Sequence, residues 1–390
     1  MSPHLAPKPA DEGLVIGRQP SEPEADVSHL NRLFRTLAQE EQRPFLSFPD
    51  HLFHQVAAEL APLLALFVDH RQGPYAATPF DDGAREYEEA VLRYFAALAG
   101  ASFEEVDGHV TASPQAALLH GLTVARHGLP DPSVYVSEQA HHDVVRACAL
   151  LGMNQVRVRA LPDGTMDPDD LRVQTRLRRE AGALVVATCG TPLRGAVDDV
   201  TELRAAAASA GRVHVHVDAT AGALVAAHST PVPSWSLAHG AHSVTLSGHR
   251  LLGLPVPAAV CLARREQRGP TWPRTVPDHL LAGSGDGLAA LLMWTRLRSL
   301  GRGGVAAMVA RCQEVAAYAV EQFERAGAGP ERSPGSLAVT FDRPPGWVVD
   351  KWRLECFGDL AQITTTGPVT HTAVDELAAD LSLAGQGAAA

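Results

Sequence analysis

Apolar positions recur in two rhythms along this chain. Tyr87, Val91, Tyr94, Phe95 and Leu98 return every three or four residues and predict a helix over Arg85–Leu98. Helical periodicity continues over Gln115–His127, His142–Leu151, Pro168–Glu180 and Val200–Ala210. Between these lie short β-branched and aliphatic runs at Val134–Val136, Val156–Arg159, Ala183–Ala187 and Val213–Val217, followed by Ser243–Leu246 and Ala258–Ala263. Such runs predict buried strands. Strand–helix alternation of this kind predicts an α/β unit whose mainly parallel sheet is covered on both faces.

The flanks follow other patterns. Residues 1–28 are rich in Pro, Glu, Asp and Ser and are expected to form a disordered tail. Leu30, Leu33, Phe34 and Leu37 mark one face of a short helix ending near Gln42, and His51–Val68 reads as a second amphipathic helix. His70–Asp82, with Gly73, Pro74 and Pro79, reads as a loop. Beyond the alternating region, helices are expected over Gly287–Leu300 and Val305–Ala326, and strands over Ser336–Phe341 and Ala361–Thr365. These make a smaller α+β domain with a loose Gln386–Ala390 tail. The expected divisions are a tail to residue 28, a helical segment over 29–72, a large domain over 73–285 and a small domain over 286–385.

Composition narrows the partners. A chain of 390 residues can bury a large core. A formal net charge of −11 argues against nucleic acid and anionic membranes, which need basic patches. The five cysteines are scattered without a Cys-x-x-Cys pair, as expected of reduced thiols in a cytoplasmic protein. The N-terminal stretch lacks an apolar signal core, and no run is long enough to span a membrane. Of 33 Lys and Arg residues only Lys8 and Lys351 are lysine. That bias toward arginine suggests GC-rich bacterial coding.

Several motifs occur in one order. Val134-Tyr-Val-Ser-Glu-Gln-Ala-His-His is followed by Asp163-Gly-Thr-Met-Asp-Pro-Asp-Asp-Leu171 and by Gly190-Thr-Pro-Leu-Arg-Gly-Ala-Val-Asp-Asp199. Then come His216-Val-Asp-Ala219, Ser247-Gly-His-Arg-Leu-Leu-Gly-Leu-Pro-Val-Pro257 and Trp294-Thr-Arg-Leu-Arg-Ser-Leu-Gly301. In this order they resemble the pyridoxal-phosphate (PLP) amino-acid decarboxylases of the histidine decarboxylase type, from about Pro62 to Leu381. The resemblance implies PLP fold type I: a large domain with a mainly parallel sheet of the seven-stranded type and a small C-terminal α+β domain. It also implies a homodimer in which the N-terminal segment embraces the partner, and lyase chemistry on a small-molecule substrate.

The resemblance also assigns roles. Asp218 would pair with the pyridine nitrogen by a charge-assisted hydrogen bond, and His141 would lie flat on the ring. Ser247 and His249 would lie near the phosphate and the imine carbon, with Ser113 in the phosphate loop. Three positions depart from the family. Its Ser-Gly-His-Lys reads Ser247-Gly-His-Arg250 here, and an arginine guanidinium stays protonated and cannot form the imine. Its glycine-rich phosphate loop reads Thr111-Ala-Ser-Pro-Gln-Ala-Ala117, where Pro114 deletes a backbone N–H. Its Ser-Gly-Ser-Arg-Asn-Gly reads Ala282-Gly-Ser-Gly-Asp-Gly287.

Three functions follow. The first is an enzyme repurposed for small-molecule metabolism, with an anionic or amino-acid-derived substrate on Arg250 and proton transfer by His141, Asp218 and His249. The second is a PLP enzyme holding its cofactor without a covalent bond; whether PLP binds is left open, and no covalent attachment is expected. The third is a non-catalytic homologue supporting a partner chain. Arg250 is equally readable as an anion anchor or as a buried ion pair with Asp218. His214, His216 and Asp218 alternate onto one strand face and, with His141 or His249, could ligate a metal. No short-range ligand motif supports that, so no metal is expected. Cys189 is expected to be a structural thiol.

Overall fold

The computed structural model describes residues 23–41, 46, 60–65, 69–70, 84–267 apart from 130 and 179–181, and 285–388. The body of the expected His51–Val68 helix, the His70–Asp82 loop, Lys8 and the first part of the Ala282–Gly287 motif lie outside the described residues. Seven strands form one sheet: β1 (Val106–Thr111), β2 (Ser133–Ser137), β3 (Gln155–Val158), β4 (Ala183–Thr188), β5 (Val213–Ala219), β6 (Ser243–Ser247) and β7 (Ala259–Arg264). Their spatial order is β1-β7-β6-β5-β4-β2-β3. The β6-β5-β4-β2-β3 run is parallel, and β7 lies antiparallel to both β1 and β6. Strands β4 and β6 are buried at every position, as a sheet covered on both faces requires.

The helices connecting these strands are α2 (Arg85–Leu98), α3 (Pro114–Gly128), α4 (His142–Leu150), α5 (Pro168–Arg176), α6 (Val200–Ala207) and α7 (Ala223–Ala227). Each of α3 to α6 starts on a side-chain cap, from Ser113, His141, Asp167 and Asp199 respectively. These caps satisfy the N–H groups left open at a helix start. On one side of the sheet a cluster around Phe95, Leu92, Val185, Val217, Leu246 and Trp235 forms the main core. A separate cluster of Leu122, Val134, Val144 and Leu184 packs α3 and α4 on the other face.

The long helix α8 (Gly287–Arg325) joins the domains. The two helices expected here are found, running on from one another across a kink where Gly301 takes the non-helical φ 63°, ψ 172°. That backbone costs glycine little and most other residues much more. The small domain has a three-stranded antiparallel sheet of β8 (Ala338–Asp342), β9 (Glu355–Phe357) and β10 (Leu360–Thr364), with β10 in the centre. Helices α9 (Gly346–Trp352) and α10 (His371–Ala388) complete it around Phe323, Phe341, Trp352 and Ile363.

Two expectations at the ends are corrected. Helix α1 spans Pro23–Glu41, so the tail expected to reach residue 28 is helical from Pro23. Proline is favoured in a first turn, and Glu24 and Asp26 suit the positive end of the helix dipole. The tail expected to be loose from Gln386 is also helical, as far as Ala388.

Candidate functional site

The site is built where the parallel strands end. Six sequence-selected residues stand at this end of the sheet: Ser113 after β1, His141 after β2, Asp218 near the end of β5, Ser247 closing β6, and His249 and Arg250 after it. Carboxyl ends of parallel strands gather ligand groups because helices begin there with open N–H donors.

Asp218 is 6% exposed. Its Oδ1 accepts from Thr220 Oγ1 at 2.7 Å and from the Thr220 N–H at 3.3 Å. Burial pushes its carboxyl above the usual range, and the Thr220 bonds and His141 pull it back. His141 caps α4 and accepts the Asp143 N–H at Nδ1, 3.2 Å away. Its ring lies 4.0 Å from that of His142. Burial lowers its pKa, His142 and Arg250 lower it further, and Asp143 and Asp218 oppose them. Asp218 and Arg250 thus both lie within electrostatic reach of His141.

The Ser247–Leu254 segment is tightly held. Ser247 Oγ and His249 Nδ1 are 2.8 Å apart. Gly253, at φ 70°, donates to the Arg250 carbonyl, and the Leu254 N–H bonds the His249 carbonyl. From α8, Arg296 Nε donates to the Leu252 carbonyl at 2.8 Å. A Cβ on Gly248 would collide with Met293. Arg250 is therefore presented by a closed turn buttressed from the domain-joining helix.

Arg250 also lines a cavity of about 100 Å³ between the domains. Gly190, Thr191 and Ala226 line the large-domain side, and Ser336, Ala338 and Gln362 the small-domain side. Gln362, Ser336 and Ala338 went unrecognised in the sequence. No motif marks them, because the cavity forms only where the small domain faces the segments that follow β4 and β5.

The alternating histidines do not gather at the site. His214 Nε2 and His216 Nδ1 both contact Ser243 Oγ, at 2.9 and 2.8 Å, and His216 Nε2 lies 3.1 Å from Thr245 Oγ1. Asp218, on the same strand, is instead engaged by Thr220. Among the described residues the convergent metal-type group is His141, His142 and Asp143, where Asp143 also accepts from Gln115 and faces Arg146. The Cys189 thiol is fully buried, which drives its pKa well above the ordinary value and leaves it unreactive.

Comparison with known proteins shows what this arrangement is similar to. Residues 120–271 match the pyridoxal-dependent decarboxylase conserved domain. The chain is 29% identical over 323 residues to a histidine decarboxylase of Acinetobacter baumannii (strain ACICU), covering 80% of this chain and 83% of that protein. It is 27% identical over 380 residues to serine decarboxylase 1 of Oryza sativa subsp. japonica, covering 95% and 79%. L-methionine decarboxylase from Streptomyces sp. 590 superposes with a TM-score of 0.83 at 18% identity, over 97% of this chain and 98% of that one. The fold is that of the PLP-dependent decarboxylases.

PLP is the cofactor these similarities imply, and the residues meet its needs unevenly. The ring's needs have candidates in Asp218, a buried carboxylate, and His141, an aromatic that follows β2, two strands away in the sheet. The phosphate's needs are met poorly. Ser113 Oγ already accepts the Ala116 N–H, and Pro114 removes a donor from the first turn of α3. The covalent link has no candidate among the described residues. Their one lysine, Lys351, lies on α9 and pairs with Asp380 at 2.5 Å. The site does not fit a lysine-bound PLP.

Proposed function

We propose that this protein is a decarboxylase-like homologue repurposed for small-molecule metabolism, acting without a lysine–PLP Schiff base. The observation that carries the reading is Arg250, set on its buttressed turn after β6 with no lysine at the site among the described residues. A permanently charged guanidinium presents five N–H donors in a planar fork suited to carboxylate or phosphate. Arg250 holds the anionic group of the substrate. His141, whose pKa burial lowers, is neutral at neutral pH and takes a proton. Asp218, whose pKa is raised, and His249 complete the proton-handling set. The buried carboxylate of Asp218 supports a working site, because it costs energy to desolvate.

The protein acts as a homodimer in this reading. Support comes from α1, whose Val27, Leu30, Leu33, Phe34 and Leu37 are each more than half exposed and recur at helical spacing. A second reading, PLP held without a covalent bond, is favoured by the buried carboxylate of Asp218 and its electrostatic reach to His141. The test is the visible spectrum of protein purified with PLP supplied and then gel-filtered. No retained PLP supports the first reading, and a retained band with cofactor released intact on denaturation supports the second. A retained band with cofactor still covalently attached sinks both.

A further inference from the structure

A second hollow, of about 540 Å³, lies at the opposite end of the sheet from Arg250. His242 immediately precedes β6, whose far end is Ser247, and Arg264 closes β7, which runs antiparallel to β6. Arg204 reaches the same hollow from α6. Gly240, at φ 97°, leaves room for its guanidinium: a Cβ there would lie 2.9 Å from Arg204 Nη1.

The hollow gathers donors. His242 is 9% exposed, and its Nδ1 accepts the Val215 N–H at 2.8 Å. Burial, with Arg204 and Arg264, lowers its pKa to about 4 against the pull of Glu266. The ring is therefore neutral at neutral pH and carries its proton on Nε2. That Nε2–H has no hydrogen-bond partner among the described residues, and native interiors leave few polar groups unpaired. Arg204 makes no hydrogen bond or ion pair among the described residues. Arg264 donates from one Nη2 to the Leu237 carbonyl at 2.9 Å and forms no ion pair among them. Glu266 is the one carboxylate lining the hollow, so its charge is exceeded by the two arginines.

Two guanidinium groups and a neutral N–H suit a phosphoryl group. It carries close to two negative charges at neutral pH and three acceptor oxygens, and arginine binds it in a bidentate fork. A carboxylate would leave one of the arginines without a counter-charge. The volume leaves room for a molecular body beyond the phosphoryl group, since a water's share of the liquid is about 30 Å³.

We propose that this hollow binds a small phosphate monoester, its phosphoryl group held by Arg204, Arg264 and the His242 Nε2–H. The five residues of β6 separate it from the site that carries Arg250, so it is an effector site rather than part of the active site.

Calorimetric titration of the full-length protein at pH 7.5 with ribose 5-phosphate, inorganic phosphate and ribose tests this. Ribose 5-phosphate is expected to bind more tightly than inorganic phosphate. Ribose is expected to bind at least about tenfold more weakly than either, since hydrogen bonds to a charged group are worth that factor or more. Arg204→Gln, at an exposed position, is expected to weaken both phosphates by about tenfold or more, and Glu266→Gln to tighten both. Arg250→Gln should keep the binding that Arg204→Gln removes, which separates this hollow from the other end of the sheet. Thermal melts confirm that each variant is folded, and the gain expected of Glu266→Gln keeps the test decisive if Arg204→Gln is unstable. Absence of phosphate binding, binding indifferent to Arg204→Gln, or binding lost only in Arg250→Gln overturns the inference. Ribose 5-phosphate binding no tighter than inorganic phosphate also overturns it and leaves free phosphate as the occupant.

Discussion

Acid should loosen this fold through its buried histidines, and His216 is the sharpest case. The side chain is completely buried, and Gly121 of α3 packs so closely that a Cβ there would strike the imidazole. Burial, with His120 nearby, lowers its pKa to about 3. For a base with a depressed folded-state pKa, the unfolded chain takes up its proton first as pH falls. His216 therefore contributes nothing to the pH dependence above its unfolded pKa of about 6.5 and a growing penalty below it. The penalty is about 1.4 kcal/mol per pH unit, or roughly 3 kcal/mol by pH 4, a large share of a typical stability of about 5–15 kcal/mol. Asp198, raised to about 6 by burial, has the opposite slope below pH 6, so total stability is a poor readout. The difference between wild type and His216→Gln isolates the histidine. Urea unfolding followed by far-ultraviolet dichroism from pH 7.5 to 4.5 should give a shallower acid slope in the variant, by about 1.4 kcal/mol per pH unit. Parallel curves would refute the assignment of His216 as a neutral buried base.

Other expectations follow from the same packing. Gly121→Ala should lower the unfolding free energy by about 1–3 kcal/mol by overpacking His216, measured by urea denaturation at pH 7.5. Asp198→Ala strands the Thr188 and Met166 N–H groups that its two oxygens now accept, so a loss of about 2–4 kcal/mol is expected, with Asp198→Asn milder. Leu33→Glu with Phe34→Glu places two carboxylates on the exposed stripe of α1. Light scattering after gel filtration should show a dimer in the wild type and monomer in the double variant, without loss of dichroism.

Much of the large domain was legible because buried parallel strands are written as apolar runs between helical periods. Every strand expected in the alternating region forms within two residues of its expected ends. Strand β1 escaped notice because Asp107, Gly108 and His109 interrupt its apolar run, and its place at the sheet edge rests on pairing with β7, some 150 residues away. Glu88 was equally opaque. It sits on a periodic helix, yet it is buried and accepts the Val110 N–H at 2.7 Å. The six candidate residues were chosen from motifs beside strand ends, and the fold sets them at the ends of β1, β2, β5 and β6. Gln362 was not among them, since the cavity it lines is bounded by both domains. The alternation of His214, His216 and Asp218 was visible, but their partners Ser243 and Thr245 come from the next strand, and only the fold shows that they absorb the histidines.

The central proposal is that the site carrying Arg250 works without a lysine-bound cofactor. The most direct test is intact-protein mass spectrometry after incubation with PLP and reduction with borohydride, which freezes any lysine-bound cofactor in place. The account predicts an unchanged mass for the wild-type chain. A stoichiometric pyridoxyl adduct on a lysine of the wild type would contradict it.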